Sequence, residues 1–174
     1  MDDTPPEDQN KQIGKGMIII AWVFIFGMMV WFFGGLEKNK RNPNQNVSTQ
    51  VLDSGGKEVV LQSSTHGHYV ATGKINDTEV TFLIDTGASY VSVPEDVAKK
   101  VGLKKGAEML VSTANGTVAV YETNLDEVSI GEIKLYDIKA DINSHMDGDE
   151  ILLGMSFLRN LSYTHEADQL TIRQ

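Results

Sequence analysis

An Asp-Thr-Gly triplet separates two apolar runs near the middle of the chain. The stretch reads TFLIDTGASYVSVP from residue 81 to residue 94, so that Asp85 closes a run with β character. A carboxylate that leaves water must be paired, hydrogen-bonded or protonated, because its desolvation otherwise destabilises the fold. Asp85 is therefore either a turn residue, for which Asp and Gly are common, or an acid kept for chemistry. The rest of the sequence has to decide between these two interpretations.

Two further segments combine turn residues with apolar runs. Asn115-Gly116 lies at the centre of a hairpin predicted over residues 108–122, and residues 151–154 read Ile-Leu-Leu-Gly before a short apolar segment. A hairpin turn without any function gives the same sequence signal as a mobile flap. The hairpin alone therefore does not distinguish a structural turn from a functional one.

Taken in this order, the three segments resemble those of the retropepsin-like aspartic proteases, most closely the bacterial members that are anchored in a membrane. The resemblance covers about residues 57–174 and implies that Asp85 is the catalytic residue of a peptide hydrolase. It also implies supporting roles for neighbouring residues. Those of the active-site loop are Thr86, Gly87, Ala88 and Ser89; those of the flap are Thr113, Ala114, Asn115, Gly116 and Thr117; and those of the segment that crosses behind the loop are Leu152, Leu153 and Gly154.

The number of Asp-Thr-Gly triplets predicts an oligomeric state. A carboxylate pair activates one water: the ionised partner takes its proton, while the protonated partner polarises the scissile carbonyl. The chain has one such triplet, so the second carboxylate has to come from a second copy, with two Asp85 side chains meeting on a twofold axis. Thr86 would hydrogen-bond across that axis, and Gly87 would bring a backbone N–H close to the carboxylate. The predicted partners are a second copy of the chain and polypeptide substrates.

The loop also departs from the pattern of retroviral relatives. These often continue the loop with further acidic residues and follow the later glycine with Arg, whereas this loop continues as ASYVSV and the glycine is followed by Met155. The ion pair between those positions cannot form here. The apolar positions Val91, Val93, Met109 and Val111 are candidates either for substrate pockets or for the core.

The N-terminal third predicts a membrane anchor. Residues 16–36 carry no charge, and 21 residues in a helix span roughly 31 Å, close to the hydrocarbon thickness of a bilayer. Large aromatic residues end this segment where a cleaved signal peptide would have small ones. We therefore expect a polar tail over 1–15, a transmembrane helix over 16–36 and a flexible linker over 37–56. Lysine and arginine counts leave the orientation open, and the resemblance implies a bacterial inner membrane with the protease domain in the periplasm.

Residues 57–174 predict a mainly β domain. Short runs rich in β-branched residues alternate with turn signals such as Asn76-Asp77 and Gly131. Residues 94–102 and 155–161 have the composition of short helices. Together with the resemblance, this predicts a closed β domain of the acid-protease fold, one lobe per chain, with one or two short helices.

Composition excludes several other classes of function. The net charge of −9 without an extended basic run argues against a nucleic-acid partner, and no cysteine is present for disulfides or thiolate metal sites. His66 and His68 lack a third ligand at fixed spacing, so no metal or cofactor is expected. Two rivals to a protease stay open: a protease-like module that binds peptides or dimerises without cleaving, and a purely structural β domain at a membrane.

Overall fold

The computed structural model describes the backbone of residues 9–113 and 116–174, and their side chains except those of 9–15 and 34–39. The chain divides into two compact units, Met1–Asn39 and Lys40–Gln174. The first contains most of helix α1, Gln9–Arg41. Its segment Gly16–Phe33 is entirely unburied and has the length and composition of a membrane span. A signal sequence has the same properties, so the helix itself is confirmed while its role as an anchor stays a prediction.

The second unit is built almost entirely from strands, which confirms the predicted mainly β class. Its described part contains these elements in chain order: β1 Thr49–Val51, β2 Lys57–Gln62, β3 Val70–Ile75, β4 Thr78–Ile84, β5 Val91–Pro94, α2 Glu95–Lys100, β6 Glu108–Thr113, β7 Gly116–Ile130, β8 Ile133–Asn143, β9 Glu150–Leu153, α3 Met155–Leu158, β10 Ser162–Glu166 and β11 Gln169–Arg173.

Six strands of the larger sheet form a closed ring. The order is β3-β4-β9-β5-β8-β7-β6, and β3 also pairs with β7 through Ile75 and Val128. The ring closes at this pairing of β3 with β7, next to the turn that joins β3 to β4. Asn76 and Asp77 both have positive φ, as a two-residue hairpin requires. The strand β6 lies outside the ring and pairs only with β7 among the described strands.

A smaller sheet joins the beginning and the end of the domain. Its order is β1-β2-β11-β10, and all of its pairings are antiparallel. Lys57 and Gln174 exchange backbone hydrogen bonds of 3.2 and 2.9 Å, so the last residue of the chain is held beside β2.

The core lies inside the ring and under the smaller sheet. Its largest side chains with almost no exposed surface include Phe82, Ile142, Ile151, Leu153 and Phe157. Val91 and Val93 have no exposed surface either. Of the two roles left open for these two valines, the structure therefore gives them the core, and burial of each stabilises the domain by about 1.5 to 3 kcal/mol.

The predicted flexible linker over residues 37–56 needs correction. The folded unit begins at Lys40 rather than near Lys57. Asn44 is 7% exposed, and its side-chain amide donates to the carbonyl oxygens of Gln62 and Val70 at 2.8 and 2.7 Å. The backbone amide of Gln62 donates a hydrogen bond to Asn44 Oδ1 at 2.8 Å. An asparagine can satisfy strand backbone in this way because its side chain carries the donor and acceptor of a peptide group, and composition alone does not show it.

Candidate active site

Asp85 directly follows strand β4 and is held from behind by strand β9. The two strands are parallel, with Ile84 beside Leu153, and the Asp85 amide donates to the Leu153 carbonyl oxygen at 3.2 Å. The Gly87 amide donates to Asp85 Oδ1 at 2.8 Å, and the Ala88 amide closes the turn on the Asp85 carbonyl oxygen at 3.3 Å. Asp85 is partly exposed, and its Oδ2 has no hydrogen-bond partner among the described residues. One carboxylate oxygen is thus fixed and the other is free to act.

The supporting residues of the loop divide into backbone and side-chain roles. A Cβ on Gly87 would lie 3.1 Å from Asp85 Oδ1, so the glycine permits the close approach of the loop to its own carboxylate. Thr86 and Ser89 are exposed. Among the described residues, the Thr86 side chain has no hydrogen-bond partner within the chain. Its predicted bond across a dimer axis therefore stays a prediction.

The segment after β9 braces the far side of the loop. The amides of Met155 and Ser156 donate to the carbonyl oxygens of Ala88 and Ser89 at 2.8 and 3.0 Å. Ser156 Oγ in turn accepts a hydrogen bond from the Val91 amide at 3.0 Å. These contacts fix the C-terminal end of the loop, and the hydrogen bond from Asp85 to Leu153 fixes its N-terminal end.

Gly154 makes this approach possible. A Cβ at this position would collide with the carbonyl oxygen of Tyr90 and would lie 2.6 Å from that of Ala88. The structure therefore brings Leu153 and Gly154 together with the Asp85 loop, as the resemblance implied. Sequence reasoning missed the bracing by Met155 and Ser156, for which the position directly after Gly154 was the available signal.

The register of the strands defines the face on which Asp85 lies. Leu152 of β9 lies beside Leu83 of β4, and both are partly exposed, whereas their neighbours Phe82 and Ile151 are fully buried. Side chains alternate between the two faces of a strand. Asp85, two residues after Leu83, therefore shares the outer face with Leu83 and Leu152, and we call this face the cleft face.

The predicted hairpin at the flap position is confirmed as a structural element. Strands β6 and β7 pair from Glu108 opposite Tyr121 to Thr113 opposite Gly116, and Thr113 Oγ1 donates to the Gly116 carbonyl oxygen at 2.8 Å. Gly116 has a φ of 115°. The predicted tip residues Ala114 and Asn115 lie outside the described residues.

A cavity of about 690 Å³ is lined mainly by the loop over residues 102–106, between α2 and β6, and by β7. Tyr90, Met109 and Lys105 are among its lining residues, and a role of Met109 in a substrate pocket stays a prediction. Lys105 Nζ lies 4.4 Å from the centre of the Tyr121 ring and 3.1 Å from a Glu95 oxygen. Hydrogen bonds from Ser144 and Lys105 lower the pKa of Glu95 to about 2, so this ion pair persists in mildly acidic solution.

Comparisons with known proteins agree with this geometry. The crystal structure of a retropepsin-like aspartic protease from Rickettsia conorii superposes with a TM-score of 0.56 and 27% sequence identity, covering 74% of this chain and 94% of that one. The closed ring of strands, the braced Asp-Thr-Gly loop and the hairpin at the flap position therefore define a retropepsin-like aspartic protease fold.

Sequence relatives give the family. The model of the family described as "gag-polyprotein putative aspartyl protease" matches residues 71–160, which contain Asp85, the hairpin and Gly154. The chain belongs to this family of retropepsin-like aspartic proteases. It is 36% identical over 131 residues to an uncharacterised protein of a Sinorhizobium species and 30% identical over 119 residues to one of Rickettsia prowazekii. The matches cover 72% and 67% of this chain but 56% and 48% of those relatives, so the chain spans about half of their length.

Proposed function

We propose that the protein is a homodimeric aspartic endopeptidase in which the Asp85 carboxylates of two chains activate one water. The observation that carries this proposal is the exposure of the Asp85 carboxylate and the way in which it is hydrogen-bonded. It is partly exposed on a loop whose backbone is braced by Gly154 and α3, with Oδ1 fixed by the Gly87 amide and Oδ2 free. A turn residue without chemistry needs none of this bracing.

The proposed reaction is general acid–base hydrolysis without a covalent intermediate. The ionised carboxylate takes a proton from water as the water oxygen attacks the scissile carbonyl carbon. The protonated carboxyl of the other chain gives its proton to the carbonyl oxygen, which yields a tetrahedral diol. The first carboxyl then gives the proton it took from water to the nitrogen, the C–N bond breaks, and one diol O–H returns its proton to the second carboxylate, leaving a carboxylic acid and an amine. The pair returns to its starting state with one shared proton.

The second chain is required because the family chemistry uses two carboxylates and this sequence has one Asp-Thr-Gly. Two features support a twofold arrangement at this loop. Asp85 and Thr86 are both accessible at the surface of the single chain, and Thr86 offers an unused hydroxyl for a bond across the axis. A flap from each chain would close on an extended peptide and exclude water.

Helix α1 would hold the enzyme on a bilayer through residues 16–36. We propose a single-pass protein of the bacterial inner membrane with the protease domain in the periplasm. The apolar, unburied stretch Gly16–Phe33 supports anchoring, and the orientation rests on the resemblance to anchored bacterial proteases. A reporter fused after Gln174 tests the orientation directly.

Mixed dimers test the two-carboxylate mechanism. The full chain, in detergent or vesicles, is incubated with a peptide library with and without an aspartic-protease inhibitor. Asp85→Asn should abolish cleavage, while Asp53→Asn, which changes an exposed carboxylate in the turn after β1, should leave it intact. Equal co-expression of wild type and Asp85→Asn leaves about one quarter of randomly formed dimers with two carboxylates, so specific activity should fall to about one quarter. A fall to about one half would mean that each chain works alone, and undiminished cleavage by Asp85→Asn would refute the proposal.

A further inference from the structure

A second carboxyl group, which the proposed reaction does not use, is buried in the wall of the domain. Asp141 of β8 is 4% exposed and Ser92 of β5 is 7% exposed. Ser92 Oγ donates to Asp141 Oδ1 at 2.6 Å. Asp141 Oδ2 has no hydrogen-bond partner among the described residues. Every side-chain oxygen of these residues that is fully buried does have a partner, so Oδ2 is not fully buried. Oδ2 therefore reaches the surface, although the rest of the side chain is enclosed.

Strand register places this pair on the cleft face. Ser92 lies beside Leu152 of β9 on one side and beside Asp141 of β8 on the other. Leu152 in turn lies beside Leu83, on the face that Asp85 shares. Neighbouring strands are about 4.8 Å apart, so Asp141 lies about 14 Å across the sheet from the strand of Asp85. An extended peptide covers that distance in about four residues.

The chemistry of the pair differs from that of its surroundings. Leu83 and Leu152 are apolar, and an apolar side chain in place of Asp141 would avoid the cost of burying a carboxyl group. Burial raises the pKa of Asp141, and the hydrogen bond from Ser92 opposes this rise in part. Oδ2 accepts a hydrogen bond when the carboxyl is ionised and donates one when it is protonated, and either role suits an amide or a hydroxyl.

We propose that Asp141, positioned by Ser92, determines specificity in the substrate cleft by binding a peptide side chain that carries an amide or hydroxyl group. This inference rests on the proposed protease function and names its substrate class: peptides with Asn, Gln, Ser or Thr within about four residues of the cleaved bond. A site built to hydrogen-bond such a group rejects an apolar isostere because its own polar atoms are then left unpaired.

Met146, in the loop between β8 and β9, lies beside Ser92. Its sulfur lies 3.4 Å from Ser92 Oγ, and the residue is partly exposed. A substrate side chain that reaches Asp141 Oδ2 displaces this thioether, which is unbranched and adapts easily to a new position.

Matched substitutions of Asp141 test the specificity. In the peptide library, the wild-type full chain should enrich Asn, Gln, Ser and Thr at one position relative to the cleaved bond. Asp141→Asn keeps a hydrogen-bonding group of the same shape and should keep this preference. Asp141→Leu should reverse it, with kcat/KM for a Gln peptide falling about tenfold relative to the matched Leu peptide. The same preference in all three proteins would overturn the proposal, as would an apolar preference of the wild type at every position.

A binding measurement separates this inference from the proposed reaction. The same Gln and Leu peptides are made with a reduced, non-hydrolysable amide, and their affinity is measured for Asp85→Asn and for Asp85→Asn/Asp141→Leu. The Gln peptide should bind the first about tenfold more tightly than the Leu peptide, and this advantage should vanish in the second. If nothing is cleaved but this difference appears, the reaction is wrong and the specificity stands. Equal affinities in the first protein would refute the specificity, whatever the outcome for cleavage.

Discussion

The backbone amide of Met155 donates a hydrogen bond of 2.8 Å to the carbonyl oxygen of Ala88, and so joins the first turn of α3 to the loop that carries Asp85. The bond depends on backbone geometry, not on the methionine side chain. It forms because Gly154 leaves no Cβ between the two segments. Loop rigidity in this domain therefore depends on a glycine 69 positions away from the carboxylate along the chain.

Gly154→Ala should disrupt the backbone contacts that join α3 to the Asp85 loop. The added methyl group would collide with the carbonyl oxygens of Tyr90 and Ala88, which are backbone atoms and cannot rotate away. We expect a loss of about 2 to 4 kcal/mol in the free energy of unfolding, together with loss of cleavage. Urea denaturation followed by circular dichroism measures the first, and a wild-type midpoint would contradict the expectation.

Gly87→Ala is the matched comparison, because it adds the same methyl group to the other side of the loop. There the nearest atom is Asp85 Oδ1, at 3.1 Å, and a carboxylate can turn. The free energy of unfolding should change by less than about 1 kcal/mol, while kcat falls about tenfold or more because the whole carboxylate turns away from its position. Unchanged kcat would show that the Gly87 contact does not position the carboxylate.

Asn44 should be needed in the smallest fragment of the chain that folds stably. A fragment that starts at Lys57 lacks β1 and the Asn44 side chain, which satisfies backbone groups of both Gln62 and Val70. In the fragment 40–174, Asn44→Ala should cost about 2 to 4 kcal/mol of unfolding free energy, since several buried backbone groups lose their partner. Asn46→Ala, at a neighbouring exposed asparagine, should cost less than about 0.5 kcal/mol. Equal urea midpoints for fragments 40–174 and 57–174 would contradict this assignment.

The sequence predicted features that depend on neighbours along the chain. The Asp85 loop, the hairpin over 108–122 and the turn at Asn76-Asp77 are signalled by residue types within a few positions. The roles of Asn44 and of the pair Ser92 and Asp141 could not be predicted in this way, because they depend on strand register between segments 18 to 49 positions apart. Asp141 lies between the apolar residues Ala140 and Ile142, a pattern that places an acid on the exposed face of a strand, so its burial could not be predicted from the sequence.

Asp141 should make stability depend on pH in a direction opposite to that of an ion-paired acid. Its pKa is raised in the folded chain, chiefly by burial, so the folded state holds its proton more tightly than the unfolded state. The stability it contributes is complete below the unfolded pKa of about 3.9 and is lost as pH rises through the higher folded pKa. Asp141→Asn cannot ionise and still accepts the Ser92 hydrogen bond. The difference in Tm, variant minus wild type, should therefore increase between about pH 4 and pH 7.

Two observations check the source of this effect. Ser92 of β5 donates to the Asp141 carboxyl, and Met146 of the loop between β8 and β9 contacts Ser92. Glu122 lies beside Asp141 on β7 and is exposed. Asp126→Asn removes another exposed carboxylate of β7 and should give a Tm difference that stays constant over the same range. A Tm difference for Asp141→Asn that shrinks as pH rises would show that the folded state prefers the ionised carboxyl.

Anchoring should determine how readily the proposed dimer forms. Confinement of chains to a bilayer raises their effective concentration, so a weak interface is enough for assembly there. We expect the fragment 40–174 to sediment mainly as a monomer when dilute and its specific activity to rise with concentration. The full chain in vesicles should be active at far lower total concentration, and dilution of the vesicles should not reduce its specific activity. A fragment that is a nanomolar dimer in ultracentrifugation, with constant specific activity on dilution, would show that the interface needs no help from the membrane.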